Sequence, residues 1–418
     1  MFDVLFNSHQ TLTRHASAPL VLERAEYLAK LASNGYSHGT LIGVAEYLLI
    51  VIEYLDLGRS TGSCVDPVEI AAAADLWASQ GRRIRGMRRP TRAKALFTHH
   101  ATRFLKACDK LFAPSSTAAW YDPQIAEFAL YMQQERGLSA STISARCTVV
   151  RQFLSQFVGD SVSLELIKIT DVDNALSRFA RERGYARVTI QTLASSLRAF
   201  FRFAESRDWC SHGLAEAIMA PRVFRFETLP AGPSWEQVRM LTSTITSDEP
   251  ADLRDKAILL LLSVYGLRAG EVIHLQLQDL DWDNGTLSVT RSKRLGVHRY
   301  PLARLVGDAV IRYLKEVRPR SSHREVFLTL NAPYGPLSRS ALYPVVSARL
   351  RPIAENCCHH GPHSLRHACA THLLNEGHTL NEVGDHLGHR NADTTRIYAK
   401  VNLTSLRTVA DFDLGGLL

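Results

Sequence analysis

One short corner recurs three times in this 418-residue chain. It reads NGYSHGTL at Asn34–Leu41, RGLSASTI at Arg136–Ile143 and RGYARVTI at Arg183–Ile190. Each has a glycine, an apolar residue directly after it, and then a threonine at a fixed offset, ahead of an apolar-periodic run. A glycine ends a helix in a left-handed turn, and a short polar residue caps the next helix. The chain is therefore expected to be a series of helices joined at tight corners.

Around the first two corners the likeness runs further. LAKLASNGYSHGTLIGVAEYLLIVIEYL parallels ALYMQQERGLSASTISARCTVVRQFLSQF at a separation of 102 residues. Two readings stand: residues 1–115 are a diverged duplicate of 118–225, or any two helical hairpins would look alike. Turn-rich stretches mark the boundaries, FAPSST at Phe112–Thr117 and APRVFRFETLPAGPS at Ala220–Ser234. The expected domains are 1–115, 118–225 and 234–418. The last is helical by pattern except for LQLQDLDWDNGTLSVTRSKRLGVHRYPL, where Asp-Asn-Gly sits between alternating runs and predicts a small antiparallel sheet.

Hydrophobic residues make up 46% of the chain, enough for packed cores. The net charge of +8 suits a polyanion partner, most simply nucleic acid. Seven cysteines without a C-x-x-C pair predict reduced thiols in a cytoplasmic protein. No apolar run is long enough to span a bilayer, and the start does not read as a signal peptide. GRRIRGMRRPTRAK, Gly81–Lys94, holds seven basic residues and no acid. It reads either as a phosphate-tracking loop, through Arg82, Arg83, Arg85, Arg88 and Arg89, or as a solvated face.

Eight histidines fall between His359 and His389. His363 and His367 have the four-residue spacing of a zinc pair. Ser364 stands where the usual glutamate base would be, Arg366 sits inside the pair, and no metal is expected. His367, His372 and His378 also suit packing along the apolar run through Leu365, Ala368, Leu373 and Leu374. The third reading is a phosphate site. His363 and Arg366 are three apart and share a helical face, pairing a titrating group with a fixed fork of donors. Arg268 begins a helix after a glycine break in YGLRAGEVIHL, and Lys293 lies in the predicted hairpin.

These blocks, GLRAGEV, HSLRHACATHLL, LGH and TTRIYAKV in that order, strongly resemble the tyrosine site-specific recombinases of the phage integrase family. The resemblance spans 234–418, and residues 118–225 look like the family's core-binding domain. It implies a mainly α fold with a small antiparallel sheet: a helical SAM-like core-binding domain, a mixed α/β catalytic domain and here an extra N-terminal helical domain. It implies Tyr398 as nucleophile, forming a 3′-phosphotyrosyl bond, with Arg268, Arg366 and His389 on the scissile phosphate. His363 would assist proton transfer, Lys293 would protonate the leaving 5′-oxygen, and Glu271 would orient Arg268. No cofactor is implied. The implied partners are double-stranded DNA with inverted-repeat core sites and three further protomers, alone or with related recombinases, exchanging strands through a Holliday junction for a mobile element. Two rivals share the residues: a type IB topoisomerase-like DNA relaxation, and a DNA-binding accessory protein without catalysis. After the nucleophile, Leu403, Leu406, Val409, Ala410 and Phe412 predict a short amphipathic helix.

Overall fold

The computed structural model describes residues 1–58, 64–79, 90–112, 119–157, 163–223, 232–291, 296–355, 357, 359–388 and 395. Among the described residues the chain is mainly helical with one small antiparallel sheet, as expected. It divides into two compact units, Met1–Leu111 with Thr228–Leu418, and Phe112–Glu227.

In the first unit, residues 1–111 fold as α1 (Phe2–Leu5), α2 (His9–Ser17), α3 (Val21–Ser33), α4 (His38–Tyr54), α5 (Pro67–Ser79) and α6 (Pro90–Ala107). The α3–α4 corner turns on Gly35 at φ +84°, and the Ser37 hydroxyl accepts from the Thr40 amide to start α4. Two apolar clusters form, one around Leu28, Leu48 and Phe104, the other around Val51, Trp77 and Phe97.

The second unit has α7 (Asp122–Gln134), α8 (Ala140–Leu154), α9 (Ile169–Glu182), α10 (Arg187–Glu205) and the short α11 (Leu214–Ala217). Phe128, Phe153, Phe200 and Phe201 fill its core. Its first corner repeats the glycine and serine pattern, with Gly137 at φ +55° and Ser139 accepting from the Thr142 amide. The third corner departs from expectation. Gly184 is left-handed, but the residue entering α10 is Ala186, which has no side-chain acceptor, so this helix starts without a polar cap.

The rest of the first unit runs α12 (Trp235–Ser243), α13 (Pro250–Val264), α14 (Ala269–Ile273), β1 (Leu280–Asp281), β2 (Thr286–Arg291), β3 (Gly296–Pro301), α15 (Arg304–Glu316), α16 (Arg339–Leu350), α17 (Pro362–Asn375) and α18 (Leu380–Leu387). The second half of α13, Ala257 to Leu262, is apolar and buried on every face because the helix packs against α12, α15, α16 and α17. The strands pair in the order β1-β2-β3, with Leu287 opposite Tyr300 and Val289 opposite His298. Along β2 the inward residues alternate as Leu287, Val289 and Arg291. A guanidinium therefore enters the core at the end of an otherwise apolar row. Among the described residues, no helix is long and apolar enough to cross a membrane.

Candidate active site

The site is built outward from α13. That helix ends at Val264, and Gly266 turns the chain at φ +58°. A Cβ there would lie 2.5 Å from Leu387 Cδ2, so only glycine lets α18 pack this closely. Two residues on, Arg268 caps α14. The carboxylate of Glu271 accepts the Arg268 amide at 2.8 Å and its Nη1 at 2.8 Å. One carboxylate thus caps a helix and fixes the side chain at the helix's own start.

Arg366 comes from α17, whose N-terminus is set by Gly361 and Pro362. It is 1% exposed. Its guanidinium donates to the Gly266 carbonyl at 2.5 Å and the Leu387 carbonyl at 2.7 Å. Arg268 donates to the next carbonyl, Gly388, at 3.3 Å. Arg291 donates to the preceding one, His386, at 3.3 Å. Three consecutive carbonyls at the end of α18 are therefore each taken by a different arginine. A helix C-terminus leaves carbonyls unpaired and carries partial negative charge, so cations gather there. Gly388, left-handed at φ +64°, ends the helix at this point.

Beside this rack lies a cavity of about 540 Å³ lined by Arg268, Glu271, Arg339, Tyr343, His359, His363 and His367, among others. Arg366 does not line it; its charge acts from behind the wall. His363 is open to the cavity, yet the enclosing walls strip it of bulk water and lower its pKa, with Arg366, Arg268 and His359 adding to the effect. The ring is thus neutral near pH 7 and able to accept a proton. His367 packs edge-to-face against it, centroids 4.4 Å apart, and is pushed down to about 4 by burial, then by His363 and Arg366. Glu271 is held below the usual carboxylate range. Burial alone would raise it, but the Arg268 amide and the charge of Arg291 outweigh burial.

Of the sequence-derived site residues, the structure brings together Arg268, Glu271, His363 and Arg366. Lys293, His389 and Tyr398 lie outside the described residues, as do Arg82, Arg83, Arg85, Arg88, Arg89 and the predicted tail helix at 403–412. The packing reading of the histidines holds in part. His372 stacks on Trp235 at 4.0 Å, whereas His378 is exposed because it follows the end of α17. Sequence reasoning gave no role to Arg291, Arg339, Tyr343 or His359. It also passed over an arginine-lined groove in the second unit, where Arg146 of α8 and Arg198 of α10 line two pockets, one also lined by Arg136 and Arg202 and the other by Ser141, Thr142 and Thr192. Arg198 and Arg202 lie four apart, on one face of α10, which is the signal that was available.

Residues 234–404 match the Phage integrase family, and residues 125–208 match the phage integrase N-terminal SAM-like domain. Tyrosine recombinase XerC of Halalkalibacterium halodurans is 30% identical over 69% of this chain and 96% of its own length. The chain belongs to the phage integrase family of tyrosine recombinases. Tyrosine recombinase XerD of Listeria monocytogenes is also 30% identical, over 68% of this chain and 96% of its own length. Among solved structures, XerH site-specific recombinase bound to palindromic difH substrate aligns with TM-score 0.51 and 15% identity, over 88% of this chain and 96% of that one. A lambda integrase dimer bound to a core site gives TM-score 0.51 and 16% identity, over 66% and 94%. At these identities the structural likeness speaks to the fold.

Proposed function

We propose that this tyrosine recombinase is a site-specific DNA recombinase that cleaves and rejoins duplex DNA through a 3′-phosphotyrosyl bond at Tyr398. The observation that carries the reading is the rack: two arginines from distant segments, Arg268 and Arg366, donate to adjacent carbonyls beside a cavity lined by His363. A scissile phosphate entering there meets Arg268 in the cavity wall and draws on Arg366 just behind it, in competition with their backbone carbonyls. The guanidiniums meet the charge that builds on the non-bridging oxygens in the transition state. His363 accepts the phenolic proton, Lys293 donates to the leaving 5′-oxygen and His389 adds a donor to the phosphate. The covalent bond keeps the phosphodiester's energy, so a 5′-hydroxyl from a second strand displaces the tyrosine without an external energy source. DNA, the ligand in the solved XerH and lambda integrase structures, is the proposed partner here too. The arginine groove between α8 and α10 would track its phosphates. Four protomers on paired inverted-repeat sites, working in the cytoplasm for a mobile element, complete the reading. The test is strand exchange between two labelled duplexes carrying the site. Recombinant joints support recombination, while relaxation of a supercoiled plasmid without joints would favour the topoisomerase rival.

The same proposal extends to residues 1–115, as a second copy of the core-binding fold with the sequence offset of 102. Leu48, Val51 and Ile52 are buried, as are Val150, Phe153 and Leu154; Ile70, Ala73 and Trp77 are buried, as are Val172, Ala175 and Phe179. The Asp66 amide donates to Glu69 at 2.9 Å, and the Lys168 amide donates to Asp171 at 2.9 Å. The groove is not copied. Arg146 is answered by Val44, which is buried in a cluster with Leu5 of α1. Any DNA contact by the first copy is left to the basic run at 81–94.

A further inference from the structure

Arg291 is the third member of the rack and has no part in the reaction as proposed above. It is 1% exposed and does not line the cavity. Its Nη1 donates to Glu271 at 2.7 Å, the carboxylate that also holds Arg268. Its Nη2 reaches both the Tyr300 hydroxyl and the His386 carbonyl, and Tyr300 donates to that same carbonyl at 2.5 Å. The Nε and Cζ of Arg291 face Gly388 so closely that a Cβ there would lie 2.7 and 2.8 Å away.

We propose that Arg291, assisted by Tyr300, is a positioning residue that fastens the last turn of α18 to Glu271 and so sets the spacing of Arg268 and Arg366. This rests on the strand-transfer reading. The reason is a difference in competition. Arg268 and Arg366 each spend donors on a carbonyl of α18, and a phosphate draws on those same guanidiniums. Arg291 is paired with the Glu271 carboxylate at 2.7 Å, a charged partner, so its tie persists when Arg268 and Arg366 turn donors from neutral carbonyls to the phosphate. A planar fork is required. One edge meets a carboxylate while the other meets a carbonyl and a hydroxyl, which a lysine ammonium on a flexible stem cannot span. Displacement of catalytic groups by about 1 Å costs on the order of a hundredfold in rate.

The test uses the full chain and a nicked duplex taken by covalent capture with wild-type protein from a random-sequence pool. Tyr300→Phe, Arg291→Lys and Arg291→Met are compared for duplex affinity, thermal midpoint and rate of adduct formation. The expected result is a Tyr300→Phe variant that binds and melts as wild type, yet forms the adduct roughly tenfold more slowly. Arg291→Met should be slower still, with Arg291→Lys giving little rescue. Methylphosphonate at the scissile position removes charge that misplaced arginines would have to meet, so the variant defects should shrink on it. Adduct formation by Tyr300→Phe and Arg291→Lys at the wild-type rate would overturn the proposal. So would a defect of equal size on both substrates. The wild-type adduct reports on the covalent cleavage step and the variant-to-wild-type ratio on positioning, so either can fail without the other.

Discussion

Gly388→Ala isolates the rack from the rest of the fold. Gly388 sits at φ +64°, where an L-residue costs roughly 1–2 kcal/mol. Its Cβ would lie 2.7 Å from Arg291 Nε and 2.8 Å from Cζ, inside any tolerated approach. Arg291 is buried and bonded to Glu271 and Tyr300, so it has nowhere to swing. Breaking a buried pair outright costs about 3–5 kcal/mol, and a partial displacement costs part of that. The combined expectation is about 2–5 kcal/mol. Gly285→Ala is the control: its φ is +60°, but nothing lies within 4 Å of the added Cβ, so only the backbone cost of roughly 1–2 kcal/mol applies. Hydrogen exchange read on peptides of α18 and β2 measures this locally, each tenfold loss of protection being about 1.4 kcal/mol. Gly388→Ala should strip protection from both elements and leave α7–α10 as in wild type. If Gly388→Ala is as mild as Gly285→Ala, Arg291 is not anchored as described, and the argument for the rack fails.

Acid should weaken the first unit through His367, and through His100, which is also pushed to about 4, mainly by burial. Both fold in the neutral form, so the unfolded chain takes up protons first; stability is full above about 6.5 and falls as pH drops toward about 4. His367→Phe should flatten the pH dependence of urea midpoints, and an unchanged slope would clear His367. Adduct formation should persist in excess EDTA, because in the proposed reaction Arg268 and Arg366 meet the phosphate charge; loss restored by zinc or magnesium would return the histidines to a metal role. Replacing Arg82, Arg83, Arg85, Arg88 and Arg89 with glutamine should weaken duplex binding alike on all sequences and make its salt dependence shallower. An unchanged slope would mark the run as a solvated face.

What was legible in the sequence was local. Glycine followed by serine and threonine announces the corners at Gly35 and Gly137, because the turn and the cap are made by residues within one helical turn of each other. Gly184 shares the glycine and the threonine but has Ala186 where the other corners have serine, so the shared pattern overstated the cap. Asp-Asn-Gly gave the β1–β2 turn for the same local reason. Arg268, Glu271, His363 and Arg366 were legible as blocks. The meeting of Arg268 and Arg366, 98 residues apart, depends on α18, whose carbonyls take a donor from each, and no spacing rule encodes that. Arg291 was half legible. The alternation Leu287, Val289, Arg291 puts it on the buried face, but its partners Glu271, Tyr300 and the His386 carbonyl come from three other elements. Tyr300 reads as an ordinary strand aromatic until β3 is paired with β2. His378 looked like part of an apolar run because helical periodicity was extended past Asn375, where α17 ends.

The central claim is that Tyr398 becomes covalently joined to DNA. The direct measurement is mass spectrometry of the denatured, nuclease-trimmed adduct formed on the captured nicked duplex, with Tyr398→Phe run beside it. The account predicts that the wild-type peptide containing Tyr398 carries a nucleotide through its 3′-phosphate. It also predicts that Tyr398→Phe binds the duplex equally well and leaves no adduct. An adduct that survives in Tyr398→Phe, or a nucleotide mapped to any other residue, would contradict it.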